Sequence, residues 1–214
     1  MTNFASARQR MVERQLRQRG IEDERVLAAM EAVPREAFLP EELRDRAYED
    51  SALPIGGKQS ISQPWIVAAI CQALELEGSE LVLEVGTGSG YSAAVLARLA
   101  AHVVSAERLE PLSRAAGGVL DSLGIRNVEL VVGDGSRGVP GRAPFDAIAV
   151  HASAPAAPPT LVEQLADGGR LVVPVSGGEA DMLMVLRRTG ERIETKSLGP
   201  CRFVPLIGEE GFDG

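Results

Sequence analysis

The chain of 214 residues is poor in the residues that staple, ligate or span. It has two cysteines, Cys71 and Cys201, far apart and in apolar stretches. That excludes a disulfide framework and points to reduced, buried thiols and a cytoplasmic setting. It has two histidines, His102 and His151, at strand positions with no Cys, Asp or Glu partners at ligand spacing. No metal site is expected from them, and both read as structural. Only Lys58 and Lys196 among the 22 basic residues are lysine, and the net charge is -8. A broad basic face for nucleic acid is therefore excluded. No apolar run approaches membrane-spanning length, and Met1 to Gly20 has scattered arginines with no apolar signal core; neither a membrane nor secretion is expected. Internal repeats, low-complexity tracts and interdomain linkers are missing as well, so residues 1–214 read as a single domain, and a monomer is expected.

What is present alternates. Ala5 to Arg19, Glu22 to Ala32 and Glu41 to Ala47 read as helices, so that residues 1–47 form a helical cover. Residues 48–63 are too long and irregular for an ordinary connection, which suggests a functional loop. Residues 64–214 form the core. Pro64 to Glu77 reads as a helix, with Ser62 placed to cap it. Strands follow at Leu81 to Val85, His102 to Glu107, Val128 to Val132, Phe145 to Val150 and Arg170 to Val175. The helices between them include Leu109 to Leu123, weakened by Gly117 and Gly118, and Pro158 to Ala166. This predicts an α/β, doubly wound, mostly parallel Rossmann-like sheet. Met182 to Arg188 and Glu191 to Leu198, joined at Thr189-Gly190, predict a C-terminal antiparallel hairpin, with a short β segment at Arg202 to Ile207.

The chain is organised around Leu81 to Tyr91. A buried strand ends at Gly86, and Gly86, Gly88 and Gly90 let the backbone turn tightly before a helix. The third glycine comes one residue earlier than in the dinucleotide pattern, and Glu84 precedes the first. That spacing and the terminal hairpin disfavour a nicotinamide-dependent dehydrogenase. Glu107 ends the second strand about twenty residues after Gly86, where an acidic side chain meets a ribose. Its bland alternative is a solvated strand-end glutamate. Asp134 could take an adenine amino group, with the amide of Gly135 on a ring nitrogen, or be an ordinary Asp-Gly turn. Glu84 could orient the glycine loop, meet the amino group of a methionine moiety, or be a buried, amide-bonded carboxylate.

Glu84-x-Gly-x-Gly-x-Gly90 resembles motif I of the class I methyltransferases. Tyr48-Glu-Asp50, Leu53-Pro-Ile-Gly56 and Gln59-Ser-Ile-Ser-Gln-Pro64 resemble the signature of the protein-L-isoaspartate O-methyltransferases. The likeness continues through Val104 to Arg108, Gly133-Asp-Gly135, Ala143 to Ile148, Leu165 to Pro174 and Arg202 to Leu206. Departures are small: Ser60 stands for threonine, Lys58 for glycine, Ala106 for isoleucine, and Trp65 for tyrosine or histidine. The resemblance implies a methyltransferase fold with N-terminal helices and transfer of a methyl group from S-adenosylmethionine to the free α-carboxylate of isoaspartyl proteins and peptides. S-adenosylhomocysteine would be the product, and the ester would then cyclise to a succinimide. It implies Ser62 as the catalytic hydroxyl. It also implies a cofactor site drawn from Ser60, Ile61, Gln63, Glu84, Gly86, Thr87, Gly88, Gly90, Glu107, Arg108, Asp134 and Gly135. Two other readings remain: a methyltransferase of the same fold for another carboxylate or small molecule, and a non-catalytic S-adenosylmethionine-binding module. Lys58 is either a solvated loop residue or a cation that steers acidic substrates.

Overall fold

In the computed structural model, which describes residues 3–214, the arginine-rich N-terminus is helical for the expected reason. Helix α1 (Phe4–Met11) is capped by Asn3, whose Oδ1 accepts the Ser6 N–H at 3.1 Å. The turns continue irregularly through Val12–Leu16 and Arg17–Arg19 and stop at Gly20, which has φ +92°. Met11, Val12 and Leu16 are buried while arginines point outward. Helix α2 (Glu24–Ala32) starts from Asp23, which caps the Arg25 N–H at 2.8 Å, and buries Val26, Leu27 and Met30. Short 3-10 turns at Arg35–Phe38 and Glu41–Arg46 complete the cover.

The stretch expected as an irregular loop contains its own small antiparallel hairpin, β1 (Leu53–Gly56) with β2 (Gln59–Ile61). Its turn is left-handed at Gly57 and Lys58, φ +57° and +59°. Lys58 thus adopts a conformation that glycine would adopt more readily. Helix α3 (Pro64–Leu74) follows, with proline in its first turn. Ser62 does not cap it. The residue next to the first helical position is Gln63, and no side chain caps that end. Ser62 lies one residue too early for its oxygen to reach the first free amides.

The glycine turn joins β3 (Leu81–Val85) to α4 (Tyr91–Leu96). Then come β4 (His102–Glu107), α5 (Glu110–Ser122), β5 (Val128–Val132), β6 (Phe145–Val150) and α6 (Pro159–Glu163). The chain finishes with β7 (Leu165–Ser176), β8 (Asp181–Thr189) and β9 (Arg192–Cys201). α5 runs unbroken through Gly117 and Gly118, and at Gly117 the missing side chain makes room for Leu130, whose Cδ1 would stand 3.2 Å from a Cβ there. β7 begins before Arg170 and cuts α6 short.

These strands form one seven-stranded sheet in the order β5-β4-β3-β6-β7-β8-β9. It is parallel from β5 to β7 and antiparallel at β8 and β9, as the sequence pattern predicts. The segment Arg202 to Ile207 adds only isolated bridges, Ser153 to Pro205 and Ile207 to Phe212, and no ladder strand. Successive side chains on the strands point to opposite faces. Val82, Val103, Ala147 and Val172 pack under the N-terminal helices, α3 and α4. Leu83, Val104, Ile148, Leu171 and Val173 pack on the other face with Leu161 of α6 and Leu206. Strand order reverses at β3, whose successor β4 lies on one side and β6 on the other. The crevice at the C-terminal ends of these strands is where ligands bind in such sheets.

Candidate active site

A cleft opens at that point, lined by the glycine turn, the ends of β3 and β4 and the C-terminal segment. Its floor is the glycine turn. Gly86, Gly88 and Gly90 have φ +95°, +54° and +88°, a region costly for other residues. The turn is tied down by Gly86 N–H to Ala106 O at 2.8 Å and Gly90 N–H to Thr87 O at 2.8 Å. Thr87 reaches back to Ser105, Oγ1 to Oγ 2.6 Å. Glu107 sits at the end of β4 and is buried in the cleft wall. Its Oε2 accepts the Gly88 N–H and its Oε1 the Leu109 N–H, both at 2.9 Å. Each oxygen thereby keeps a free lone pair. Gly135 packs tightly on the ends of β3 and β4, where a Cβ would meet Val85 Cγ1 at 2.6 Å. A backbone this bare and this close is suited to a flat heterocycle, and the Glu107 oxygens suit a ribose diol. The cleft therefore fits an adenosine-bearing cofactor.

Behind the turn lies a buried polar chain. Ser105 Oγ donates to Glu84 Oε2 at 2.5 Å, and Glu84 Oε1 lies 3.4 Å from His151 Nε2. His151 Nε2 meets Ser92 Oγ at 2.7 Å. Burial pushes the Glu84 carboxyl up to about 8, against the pull of the Ser105 and Ser92 hydroxyls. Burial also pushes the His151 imidazole down to about 4. Near pH 7 both are mainly neutral, so their contact is not an ion pair. The chain links β3, β4, α4 and the end of β6 beneath the cleft floor.

A second cavity adjoins the first. Ser60, Ser62, His151 and Val204 line both. Among the described residues the Ser62 hydroxyl has no protein hydrogen-bond partner. It stands on the wall shared by the two spaces.

Most of the expected cofactor residues meet here. Ser60, Ile61, Gly86, Thr87, Gly88, Glu107, Arg108 and Gly135 line the cleft together with Ser62. Four do not line it. Gly90 caps α4 from below. Glu84 is fully buried behind the turn. Gln63 lines the second cavity and binds Asp50 Oδ1 at 2.8 Å. Asp134 is turned away: Oδ1 accepts Ser136 N–H at 2.9 Å and Oγ–H at 2.7 Å, and Oδ2 accepts Glu209 N–H at 2.8 Å. It braces the C-terminal segment through Glu209. Lys58 lines neither cavity. The sequence reading missed Ser89, Ser92 and the segment Val204 to Ile207 in the cleft wall, and took His151 for a structural strand residue. His151 follows the end of β6, the one signal that could have marked it.

The sequence model described as protein-L-isoaspartate(D-aspartate) O-methyltransferase matches residues 6–211. A protein-L-isoaspartate O-methyltransferase 1 of Rhodopseudomonas palustris strain HaA2 is 54% identical over 213 residues, 99% of this chain and 87% of that protein. One from Syntrophobacter fumaroxidans is 52% identical over all of both chains. A solved protein-L-isoaspartate O-methyltransferase superposes with TM-score 0.84 at 30% identity, over 95% of this chain and 67% of the other. A Plasmodium falciparum structure of this kind, solved with S-adenosyl-L-homocysteine, gives TM-score 0.80 at 26% identity, covering 97% and 99%.

Proposed function

This chain belongs to the protein-L-isoaspartate(D-aspartate) O-methyltransferase family and is an S-adenosylmethionine-dependent enzyme that methylates isoaspartyl residues, and we propose that Ser62 holds the acceptor carboxylate in line with the donor. The observation that carries this reading is the unengaged Ser62 hydroxyl on the wall common to both cavities. When bound, S-adenosylmethionine supplies an electrophilic methyl group on a positively charged sulfur. The acceptor is the free α-carboxylate of the isoaspartyl residue, ionised at neutral pH. No side chain therefore has to remove a proton. The task of the protein is orientation: reacting atoms held near 3–3.5 Å and aligned gain most of what catalysis needs. Ser62 donates its hydroxyl proton to one carboxylate oxygen and leaves the other free to attack. The methyl ester then leaves as product and cyclises without the enzyme to a succinimide.

The remaining roles follow from position. Glu107 accepts from the ribose hydroxyls through its free lone pairs. Gly86, Thr87, Gly88 and Gly135 offer bare backbone to the cofactor, and Ser60, Ile61 and Arg108 close its sides. The second cavity receives the peptide. Two free cysteines, Cys71 buried among them, support a reducing, cytoplasmic setting. The large apolar side chains exposed among the described residues, Val132, Ile193 and Leu198, are few, which supports a monomer without a membrane-binding face, and the net charge of -8 speaks against nucleic acid.

The test is methyl transfer from labelled S-adenosylmethionine to paired aspartyl and isoaspartyl peptides, with Ser62→Ala beside wild type. Transfer to the isoaspartyl peptide alone is expected. Ser62→Ala should lower kcat at least tenfold, the cost of about one charged hydrogen bond, while product affinity changes little. Wild-type single-turnover rates in Ser62→Ala would remove Ser62 from the reaction.

A further inference from the structure

The second cavity has two unlike rims. One rim is a cross-linked cluster. The Arg19 guanidinium lies 5.1 Å from the Trp65 ring centroid, and Arg19 Nη1 meets Asp50 Oδ2 at 2.5 Å. Trp65 Nε1 donates to Arg19 O at 3.2 Å, and Gln63 Nε2 donates to Asp50 Oδ1 at 2.8 Å. The positive charge of Arg19 is thus already matched by Asp50. The other rim is the segment after β9. It is fixed by Asp181, which accepts the Phe203 N–H at 2.9 Å and the Ser153 hydroxyl at 2.7 Å. Arg202 projects from this rim, exposed and lining the cavity. Among the described residues it has no ion-pair or hydrogen-bond partner.

The cavity walls hold two arginines and one aspartate, in a chain whose net charge is -8. Arg202 is the uncompensated cation there. The cavity shares Ser62 with the cofactor cleft, so a peptide whose isoaspartyl carboxylate reaches Ser62 lays its neighbouring residues along these rims. Building on the functional reading above, we propose that Arg202 is a specificity-determining residue that selects isoaspartyl peptides with an acidic side chain beside the isoaspartyl position. A guanidinium binds a carboxylate through a planar fork of donors, which a lysine ammonium does only as a point charge.

Initial-rate kinetics on two isoaspartyl peptides, identical except for Glu or Gln next to the isoaspartyl residue, test this. In wild type at low salt the Glu peptide should show a KM about two- to fivefold lower, the worth of an exposed ion pair. The gap should close near ~0.5 M salt, where screening acts within a few ångströms. In Arg202→Gln the KM for the Glu peptide should rise to that of the Gln peptide, and Arg202→Lys should restore part of the difference. Calorimetric binding of S-adenosylhomocysteine reports whether each variant is folded. Equal KM values in wild type, or an unchanged ratio in Arg202→Gln, would overturn the proposal while leaving the functional reading intact. Failure of wild type to methylate either peptide would bring down that reading, and this one with it.

Discussion

Glu107 carries two burdens with one carboxylate, since it holds the Gly88 and Leu109 amides as well as facing the cleft. Glu107→Ala should therefore weaken S-adenosylhomocysteine binding by ~1.5–3 kcal/mol, the range for hydrogen bonds to a charged group. Unchanged calorimetric affinity in a folded variant would take Glu107 out of the site. Glu84 and His151 make a prediction about pH. The Glu84 carboxyl is raised by burial from 4.5 to about 8. Its stabilising contribution is present below about pH 4.5, where folded and unfolded chains are both protonated, and is lost as pH rises towards 8. His151 is lowered by burial from 6.5 to about 4, so its contribution is present above about 6.5 and lost as pH falls towards 4. Glu84→Gln keeps an acceptor for Ser105 but cannot ionise. Thermal unfolding should show its Tm gaining on wild type between pH 5 and pH 8, by several degrees on the order expected for ~1 kcal/mol or more. A constant Tm difference across that range would mean that Glu84 is ionised throughout.

At the scale of elements, the turn and its helix depend on where each glycine stands. Gly90 has φ +88°, and a Cβ there would sit 3.0 Å from Ala116 Cβ on α5. Gly90→Ala combines backbone strain with a forced shift of α5, and should cost ~1–3 kcal/mol and weaken product binding. Gly118 is the useful contrast. It lies inside α5 without positive φ, and nothing stands within 4 Å of an added Cβ. Gly118→Ala should raise stability by ~0.4–1 kcal/mol, since alanine is the better helix former and has the less mobile unfolded chain. Denaturant midpoints of the two variants should move in opposite directions; a shift of the same sign would contradict this account of the turn.

For the whole molecule, the sheet and its two apolar layers consume the large aliphatic side chains and leave no broad apolar face among the described residues. Sedimentation equilibrium should give the mass of one chain, 22.6 kDa. A concentration-dependent dimer would show that one of the polar faces is an interface. The C-terminal segment is the other whole-molecule feature. It returns across the sheet so that Pro205 to Ile207 wall the cleft, held by Asp134, Ser136 and Thr160 on Glu209 and Glu210.

The sequence by itself determined the architecture. Short apolar runs, glycine-ended turns and the alternation of strand with helix are local patterns, and local patterns survive without knowledge of the fold. It also pointed to the glycine turn, Glu107 and the stretch around Ser62, which the fold brings to one cleft, because each is encoded by residues adjacent in the chain. Only the tertiary structure decided what depends on meetings between distant segments. It turned Asp134 from the cleft towards Glu209, 75 residues away. It released Ser62 from capping by starting α3 one residue later than an oxygen at that position could serve. It brought His151 behind Gly86 and beside Glu84, where burial sets both protonation states. It set Arg202 across a groove from Arg19, one partnered and one free. The reason is physical: backbone preference acts over a few neighbours, whereas burial and charge are properties of the space that the folded chain encloses.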